Sequence, residues 1–438
     1  MAQRKSTVPL FFWSRNALYG LCLGLAFGMF GSKAEAQETI KVGILHSVSG
    51  TMAVSEAPLV DVILMLIEQQ NQRGGLLGRK LEPVISDPKS NWPLYEVKAK
   101  RLIEEDQVAV IFGCWTSASR KAVLPIVEES NGLLFYPVQY EGEEASGNVF
   151  YTGAAPNQQA LPGIEYLTEQ KGIERWVLLG TDYVYPRTTN GIIKTFLRNK
   201  SVTNDDIMVE YVPFGFSDWE DVTSHIKEFG SAGKKTAIIS TINGDSNISF
   251  YRELARQNVD PKEIPVMAFS VGEEEMSGID TKSLVGHLSV WNYFMSIGHP
   301  ANREFVSNWH AYLGDNSRVT NDPMEAHYIG FNLWVKAVEA AGTLDVETVK
   351  QAILGKSVEN LSGGKATMLN NHHITKPVYV GEIQEDGQFK LVWQSEELIA
   401  GDAWSDYLWL GASGIEADWS EPRKCGRYSA VSESCQDE

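Results

Sequence analysis

The feature that most constrains the fold is an alternation of apolar strands and amphipathic helices, which runs through the chain twice. The first series predicts strands at 40–45, 80–86, 108–112 and 133–137, with helices at 58–72, 93–105 and 117–130. The second predicts helices at 158–171, 190–200, 219–230 and 247–258, with strands at 175–180, 208–213, 236–241 and 265–270. Alternation of this kind is typical of parallel sheets covered by helices on both faces. We therefore expect an α/β fold made of two doubly wound lobes of similar plan.

The elements that follow residue 286 exceed what the second lobe needs. They are predicted as a strand at 288–294, helices at 302–313, 324–341 and 346–354, and strands at 378–384 and 389–394. An economical explanation is that the chain crosses back between the lobes, which gives a multi-crossover hinge. The predicted first lobe comprises 37–155 and 287–342, the second comprises 156–286 and 343–400, and a tail covers 401–438.

The first 36 residues have the pattern of a secretory signal. Arg4, Lys5 and Arg15 form a basic start, residues 17–30 are apolar apart from glycines, and Ala34–Ala36 fits a small-x-small cleavage site. The alternative is a membrane anchor, but the apolar stretch is shorter than the roughly 20 residues that a spanning helix needs. We predict a periplasmic protein, cleaved near Ala36, with no stable membrane insertion after cleavage.

The charge balance restricts the partners of the exported protein. The full chain has a formal net charge of -18, and removal of four basic residues and one acidic residue with the signal brings it to -21. An acidic surface repels nucleic acid phosphates and anionic lipid headgroups. We therefore expect no nucleic acid partner.

Three cysteines remain after cleavage: Cys114, Cys425 and Cys435. An oxidising compartment permits a bridge, and Cys425 with Cys435 would close a short loop in the tail. We predict that disulfide, with two free thiols as the alternative. Cys114 is then unpaired and is expected to be a small buried hydrophobe at the end of its strand.

Two neighbouring strand ends, 113–121 and 135–144, carry the most chemistry. Ligands of open α/β sheets bind at the carboxyl ends of the strands. These two ends supply hydroxyls, peptide groups, aromatic side chains and one amide, without a phosphate-binding glycine loop. Such a set suits a small, neutral, polar molecule better than a nucleotide.

Several motifs resemble a known family over roughly residues 40–395. Residues 42–50, and residues 71–81 followed by Asp87, resemble the type I periplasmic substrate-binding proteins, a group that includes the branched-chain amino acid receptors. Residues 113–121, 136–142, 155–158 and 181–187 resemble its short-chain amide and urea branch. The resemblance implies a clamshell without catalytic activity, cofactor or metal. It would capture urea or a short-chain amide and deliver it to the permease subunits of an ABC importer.

The resemblance also implies a set of residues beside the ligand: Trp115, Ser117, Tyr136, Val138, Tyr183 and Tyr185. Urea has one acceptor oxygen and four N–H donors, so its site must supply several acceptors. Candidate acceptors are the Val138 carbonyl, the Gln139 side-chain oxygen and the tyrosine hydroxyls. The peptide N–H and hydroxyl of Ser117, at a helix start, are candidates to hold the carbonyl oxygen.

Later strand ends of the second lobe add Thr241, Asn243 and Ser270 as candidates of lower rank. Two structural alternatives stay open at this point. The aromatic residues can be ordinary packing, and Ser117 can be a helix N-cap, with or without a role in binding.

Other functions and sites are weaker interpretations of the sequence. An amide sensor would act inside the cell, which the export signal disfavours. A hydrolase with Cys114 as nucleophile needs a base that no spacing nominates. The pair His372–His373 lies beside Asn370–Asn371, which favours an exposed turn over a metal site. The acidic run Glu273–Glu275 is expected to be a solvated face.

Overall fold

The computed structural model of the protein describes residues 39–277 and 279–407, together with the backbone of 428–429 and 434–435. The strands are β1 (Ile40–Leu45), β2 (Leu81–Ser86), β3 (Val110–Gly113), β4 (Leu134–Tyr136), β5 (Glu144–Ala145), β6 (Val149–Tyr151), β7 (Arg175–Thr181), β8 (Ile207–Val212), β9 (Thr236–Thr241), β10 (Val266–Ala268), β11 (Leu288–Trp291), β12 (Ser357–Glu359), β13 (Lys365–Thr367), β14 (Thr375–Lys376), β15 (Tyr379–Ile383), β16 (Phe389–Gln394), β17 (Ile399–Ala400), β18 (Tyr428–Ser429) and β19 (Ser434–Cys435). The helices are α1 (Ala53–Gln72), α2 (Trp92–Glu104), α3 (Ser117–Glu129), α4 (Ala160–Tyr166), α5 (Val184–Asn199), α6 (Glu220–Gly230), α7 (Ser246–Arg256), α8 (Glu273–Met276), α9 (Pro300–Leu313), α10 (Asp322–Ala341) and α11 (Val346–Ile353).

Two large sheets form the cores of two lobes. The first has the order β2-β1-β3-β4-β6, with every pair parallel. The second has the order β16-β15-β11-β10-β9-β7-β8; its pairs are parallel from β8 to β11 and antiparallel from β11 to β16. The five parallel strands have the same spatial order in both sheets: when they are numbered along the chain within each sheet, the order is 2-1-3-4-5. The predicted α/β fold with two doubly wound lobes is confirmed.

Local sequence signals explain where several helices begin. Asn91 caps α2 by accepting a hydrogen bond from Leu94 N, and Asn321 caps α10 in the same way. In both helices a proline occupies the first turn, where its missing N–H costs nothing. The central strands β3 and β9 are buried on both faces, as parallel strands under two helical layers are expected to be.

The chain differs from the predicted lobe bounds in two places. Strand β11 pairs with β10 and β15 in the second sheet, whereas residues 287–342 were assigned to the first lobe. Helix α11 and strand β12 pack on α10, whereas residues 343–400 were assigned to the second lobe. The hydrophobic periodicity of 288–291 identifies a strand but not the sheet that it joins, since pairing depends on distant residues. The remaining lobe bounds stay a prediction.

One buried side chain ties the crossing segments together. Asn292 Nδ2 donates to the carbonyl of Gln158 at 2.9 Å and to that of Pro377 at 2.6 Å. These three residues lie on three different passages of the chain between the lobes. Asn292 therefore fixes the crossovers relative to one another at the centre of the hinge.

Within residues 39–277 and 279–407, no helix combines the length and apolar character required to cross a bilayer. The predicted signal at 1–36 lies outside the described residues, and so do Cys425 and the side chain of Cys435. Part of the predicted tail contacts the first lobe: the Ala403 carbonyl accepts from Glu143 N, and β18 pairs in parallel with β5.

Candidate ligand-binding site

Two hydrogen bonds join the facing edges of the lobes at the predicted site. Trp115 Nε1, just after β3, donates to Asn243 Oδ1 at 3.3 Å. Gln139 Nε2 donates to Ser270 Oγ at 2.7 Å. All four side chains are buried. The lobes are therefore in direct contact at these groups.

Aromatic side chains of the second lobe lie against the start of α3. Tyr183 and Tyr185 form a buried apolar cluster with Ala118, the second residue of that helix. The ring of Tyr183 also lies 5.8 Å from that of Trp92 and 6.2 Å from that of Tyr185. Both predicted tyrosines thus flank the helix start that carries Ser117, across the cleft between the lobes.

Two polar atoms at this contact have no hydrogen-bond partner of good geometry among the described residues. They are Gln139 Oε1 and the hydroxyl oxygen of Tyr185, both fully enclosed. The Tyr185 hydroxyl lies beside Gln139 and Ser270, and burial raises its pKa. Buried polar atoms without partners are costly and call for an explanation. The amide oxygen can only accept, whereas the hydroxyl can accept and donate.

The hydroxyl of Ser117 is already bound within the protein. It donates to a carboxylate oxygen of Glu141 and accepts from Arg120 Nη1 at 3.2 Å. The N-cap of α3 is Thr116, whose Oγ1 accepts from Ser119 N at 3.1 Å. The alternative that Ser117 is the helix cap is therefore wrong. The cap lies one residue before Ser117, because Thr116 has the extended backbone that a cap requires and Ser117 is already the first residue of the helix.

Two further predicted residues, Tyr136 and Thr241, use their hydroxyl groups in hydrogen bonds within the protein. The Tyr136 hydroxyl donates to the Trp115 carbonyl, and Thr241 Oγ1 donates to a backbone carbonyl within its own sheet. Val138 packs directly on Gly153, where an added Cβ would lie 2.1 Å from the Val138 carbonyl group. Tyr136 and Thr241 have thus committed their hydroxyl hydrogens to backbone carbonyls.

A buried ionic network behind Ser117 was not among the predicted site residues. Arg120 donates to Glu141 at 3.2 Å and to Glu144 at 2.7 Å, and Lys121 donates to Glu144 at 2.8 Å. Burial alone would raise the pKa of Glu144, but Arg120 and Lys121 outweigh burial and hold its pKa well below its usual range. These residues lie within 113–121 and 135–144, the two motifs from which the site was predicted. The presence of charged residues in motifs that were otherwise expected to be buried was the signal from which the network could have been found.

The prediction that Cys114 is a buried, unpaired hydrophobe is confirmed. Its side chain is fully buried and its thiol is free. Burial also raises the pKa of the thiol, which disfavours the thiolate that a nucleophile needs. Its φ of 67° is in the left-handed region, and this turn directs the chain from β3 to Trp115.

The histidine pair belongs to the first lobe. Asn370 and Asn371 are exposed as expected, but His373 is buried, with Nε2 2.6 Å from the Tyr140 hydroxyl. Burial lowers the pKa of His373 to about 4. Among the described residues, no cluster of three or more histidine, cysteine or acidic side chains has the geometry to hold a metal.

The expectation of a solvated face at Glu273–Glu275 is wrong. All three side chains are buried in α8, and Glu275 accepts from Ser55 of α1 in the first lobe at 2.7 Å. Burial raises the pKa of Glu273 to about 8 and that of Glu274 to about 7. The acidic run is part of the contact between the lobes. Its sequence contains no sign of this, because charge alone does not reveal burial.

Known proteins show similarity along most of the chain. A binding protein for leucine, isoleucine, valine, threonine and alanine from Pseudomonas aeruginosa is 24% identical over 349 residues, or 78% of this chain and 89% of that protein. A solute-binding protein of an ABC transporter from Rhodopseudomonas palustris HaA2, solved with p-hydroxybenzoic acid, superposes with a TM-score of 0.73 at 21% identity, covering 84% of this chain and 99% of the other.

A local similarity points elsewhere but covers little. Limonene hydroxylase from Geobacillus stearothermophilus is 31% identical over 119 residues, which is 27% of this chain and only 22% of that protein. By contrast, the model of the family described as periplasmic binding protein domain matches residues 40–409. Because that match spans most of the chain, the protein belongs to the periplasmic binding protein family, the solute-binding proteins of ABC transporters, which are exported and are not enzymes.

Proposed function

We propose that this solute-binding protein captures urea or a short-chain amide between its lobes and passes it to the permease subunits of an ABC importer. The observation that supports this most directly concerns two buried atoms at the predicted site, Gln139 Oε1 and the Tyr185 hydroxyl, which lack a hydrogen-bond partner of good geometry among the described residues. Both accept hydrogen bonds, and a molecule with several N–H donors satisfies both at once.

The charges around the contact favour a neutral ligand. At the predicted site, the residues that bond between the lobes are Trp115, Asn243, Gln139 and Ser270, and none of them is charged. The nearby Arg120 is matched by two carboxylates within the first lobe. An amino acid or a benzoate brings charges into a buried site, and these need free counter-charges. The similar proteins named above, which bind amino acids and a hydroxybenzoic acid, therefore differ from this chain in the ligand that we propose.

The size of urea sets an expected affinity. Small ligands gain at most about 1.5 kcal/mol per heavy atom, so urea with its four heavy atoms gains about 6 kcal/mol. This corresponds to a Kd of roughly tens of micromolar. A Kd far below one micromolar would indicate a larger ligand.

The proposal is tested by titration calorimetry of the cleaved protein with urea, formamide, acetamide, leucine and 4-hydroxybenzoate. We expect heats of binding with urea, weaker binding of the two amides and none with leucine or 4-hydroxybenzoate. The assignment of urea as the ligand would be overturned if leucine or 4-hydroxybenzoate bound and urea gave no heat of binding. Loss of urea uptake in cells without the protein, restored by the wild-type chain, tests delivery to the permease.

A matched pair of variants tests the location of the site. Tyr185→Phe removes a hydroxyl at the contact between the lobes. Tyr251→Phe removes a buried hydroxyl on α7 that likewise lacks a partner among the described residues. We expect Tyr185→Phe to raise the Kd for urea about tenfold, the value of one hydrogen bond of about 1.4 kcal/mol, and Tyr251→Phe to leave it unchanged. Equal affinities of the two variants would place the ligand elsewhere.

A further inference from the structure

The hydroxyl of Ser117 has a fixed hydrogen-bond polarity. The hydroxyl hydrogen of Ser117 points to Glu141, and Arg120 forms a salt bridge with the same carboxylate at 3.2 Å. One of the two lone pairs of Ser117 Oγ accepts from Arg120 Nη1 at 3.2 Å. A hydroxyl has one hydrogen and two lone pairs. Within the described part of the chain, Ser117 Oγ is therefore left with one free lone pair and no free hydrogen.

The surroundings hold this arrangement firmly. Glu141 and Arg120 are 1% and 0% exposed, so water does not compete for their hydrogen bonds. Arg120 is held in turn by Glu144 at 2.7 Å, and its guanidinium lies 4.7 Å from the centre of the Tyr136 ring. A carboxylate in a salt bridge with Arg120 only accepts, so the hydrogen between Glu141 and Ser117 belongs to Ser117.

We propose that Glu141 is a specificity-determining residue that acts through Ser117: by taking the hydroxyl hydrogen, it makes Ser117 an acceptor toward the ligand. The proposal rests on the proposed function, since it places Ser117 beside a bound urea or amide. A ligand N–H finds a partner in the free lone pair of Ser117. A carboxylate of the same planar shape has only acceptor oxygens and meets a repelling lone pair instead. The sequence-based expectation that the Ser117 hydroxyl donates to the urea oxygen is replaced by the opposite polarity.

The test compares the affinities for urea and for acetate, a planar carboxylate with the same number of heavy atoms. In Glu141→Gln, Arg120 competes for the amide oxygen, which turns the amide NH₂ toward Ser117 and frees the hydroxyl hydrogen for the ligand. We expect the ratio of the Kd for acetate to the Kd for urea to fall at least tenfold, as calorimetry measures it.

Glu144→Gln is the matched control. It removes the same charge from the same network, since Glu144 contacts Arg120 and Lys121, whereas Ser117 donates to Glu141. We expect it to leave the ratio within about twofold of the wild type. An equal fall in both variants would show that net charge, and not the polarity of Ser117, sets selectivity, and would overturn the inference.

A double-mutant cycle separates polarity from other effects. With Ser117→Ala in the background, Glu141→Gln has no hydroxyl to reorient, and we expect the ratio to stay unchanged on adding it. Glu141→Asp keeps the charge that neutralises Arg120 while withdrawing the carboxylate from Ser117, so it serves if Glu141→Gln does not fold. A wild-type ratio in folded Glu141→Asp would overturn the inference. Failure of the wild type to bind urea or any amide would instead overturn the proposed function.

Discussion

Two of the buried groups of charges among the described residues offset the cost of burial in opposite ways. The first-lobe network pairs Arg120 and Lys121 with Glu141 and Glu144 at short distances. The second group, at the contact between the lobes and the hinge, contains five carboxylates: Glu273, Glu274, Glu275, Asp322 and Glu325. Its buried cation, Lys376, lies no closer than 3.8 Å to a carboxylate oxygen of Asp322 or Glu325.

The difference appears in the proton equilibria of the two groups. In the paired network, the cations outweigh burial and lower the pKa of Glu144. In the acidic group, burial dominates and raises the pKa of Glu273 and of Glu325 to about 8. Buried charge with matched counter-charge thus stays ionised at neutral pH, whereas buried carboxylates in excess hold protons. The charges of the first group therefore stay fixed around neutral pH, whereas carboxyl groups of the second group lose their protons as the pH rises through about 8.

The largest expected effect comes from breaking the paired network. Arg120→Met leaves two buried carboxylates with only Lys121, and we expect it to lower the free energy of unfolding by about 3–5 kcal/mol. Guanidinium chloride denaturation measures this, since urea is the proposed ligand. Arg256→Met, which removes an exposed guanidinium paired on the surface, should leave the stability unchanged. Equal stabilities of the two variants would show that the buried network adds nothing to the fold.

A direct comparison of one carboxylate from each group should give the next largest effect. Glu144→Gln removes an ionised partner of Arg120 and Lys121, and we expect a loss of about 2–4 kcal/mol at pH 7. Glu325→Gln replaces a group that burial already keeps largely protonated, so we expect a change below about 1 kcal/mol. Denaturation of both variants at pH 7 measures the two values. A larger loss in Glu325→Gln would contradict the contrast between the groups.

The smallest effect is a slope of stability with pH between about 7 and 8.5. Glu273 and Glu325 bind protons in the folded state up to a pKa of about 8 but release them near 4.5 when unfolded. Their contribution is therefore complete below about pH 4.5 and is lost as the pH rises through about 8. The buried histidines His287 and His373, with pKa values lowered to about 4, oppose this only below about pH 6.5. We expect the free energy of unfolding to fall by up to about 1.4 kcal/mol per pH unit for each group.

Glu273→Gln removes one of these groups and should flatten the slope over that window. Glu253→Gln is the matched control, because the hydrogen bond from Arg256 lowers the pKa of Glu253 and keeps its titration far below pH 7. Denaturation curves at pH 7, 7.75 and 8.5 give the slopes. A slope that Glu273→Gln leaves intact would show that this carboxylate is not protonated in the folded state.

Much of the fold was predictable because its signals are local. Alternating strands and helices gave both lobes, and the polar caps with first-turn prolines at Asn91 and Asn321 mark two helix starts. Six predicted side chains come together at the contact between the lobes, as strand-end reasoning and family resemblance led us to expect. They are Trp115, Gln139, Tyr183, Tyr185, Asn243 and Ser270. Their role in binding stays a proposal.

The errors share one cause, which is the dependence on partners far along the chain. Periodicity did not reveal that β11 joins the second sheet, or that Glu275 is buried against Ser55, 220 residues away. The same applies to the hydroxyl of Ser117, whose orientation depends on Glu141 and Arg120. A residue type states which hydrogen bonds are available, and only its neighbours decide which of them are used.

By itself, then, the sequence determined the α/β class and the two-lobed plan and indicated the strand ends at which we propose the ligand site, because backbone periodicity, capping and turn chemistry act over a few residues. Only the tertiary structure decided which charges are paired, which carboxylates hold protons and which way the Ser117 hydroxyl points. Those properties follow from burial and from contacts between distant segments, since removal of water is what makes an unpaired charge or a misdirected hydrogen bond costly.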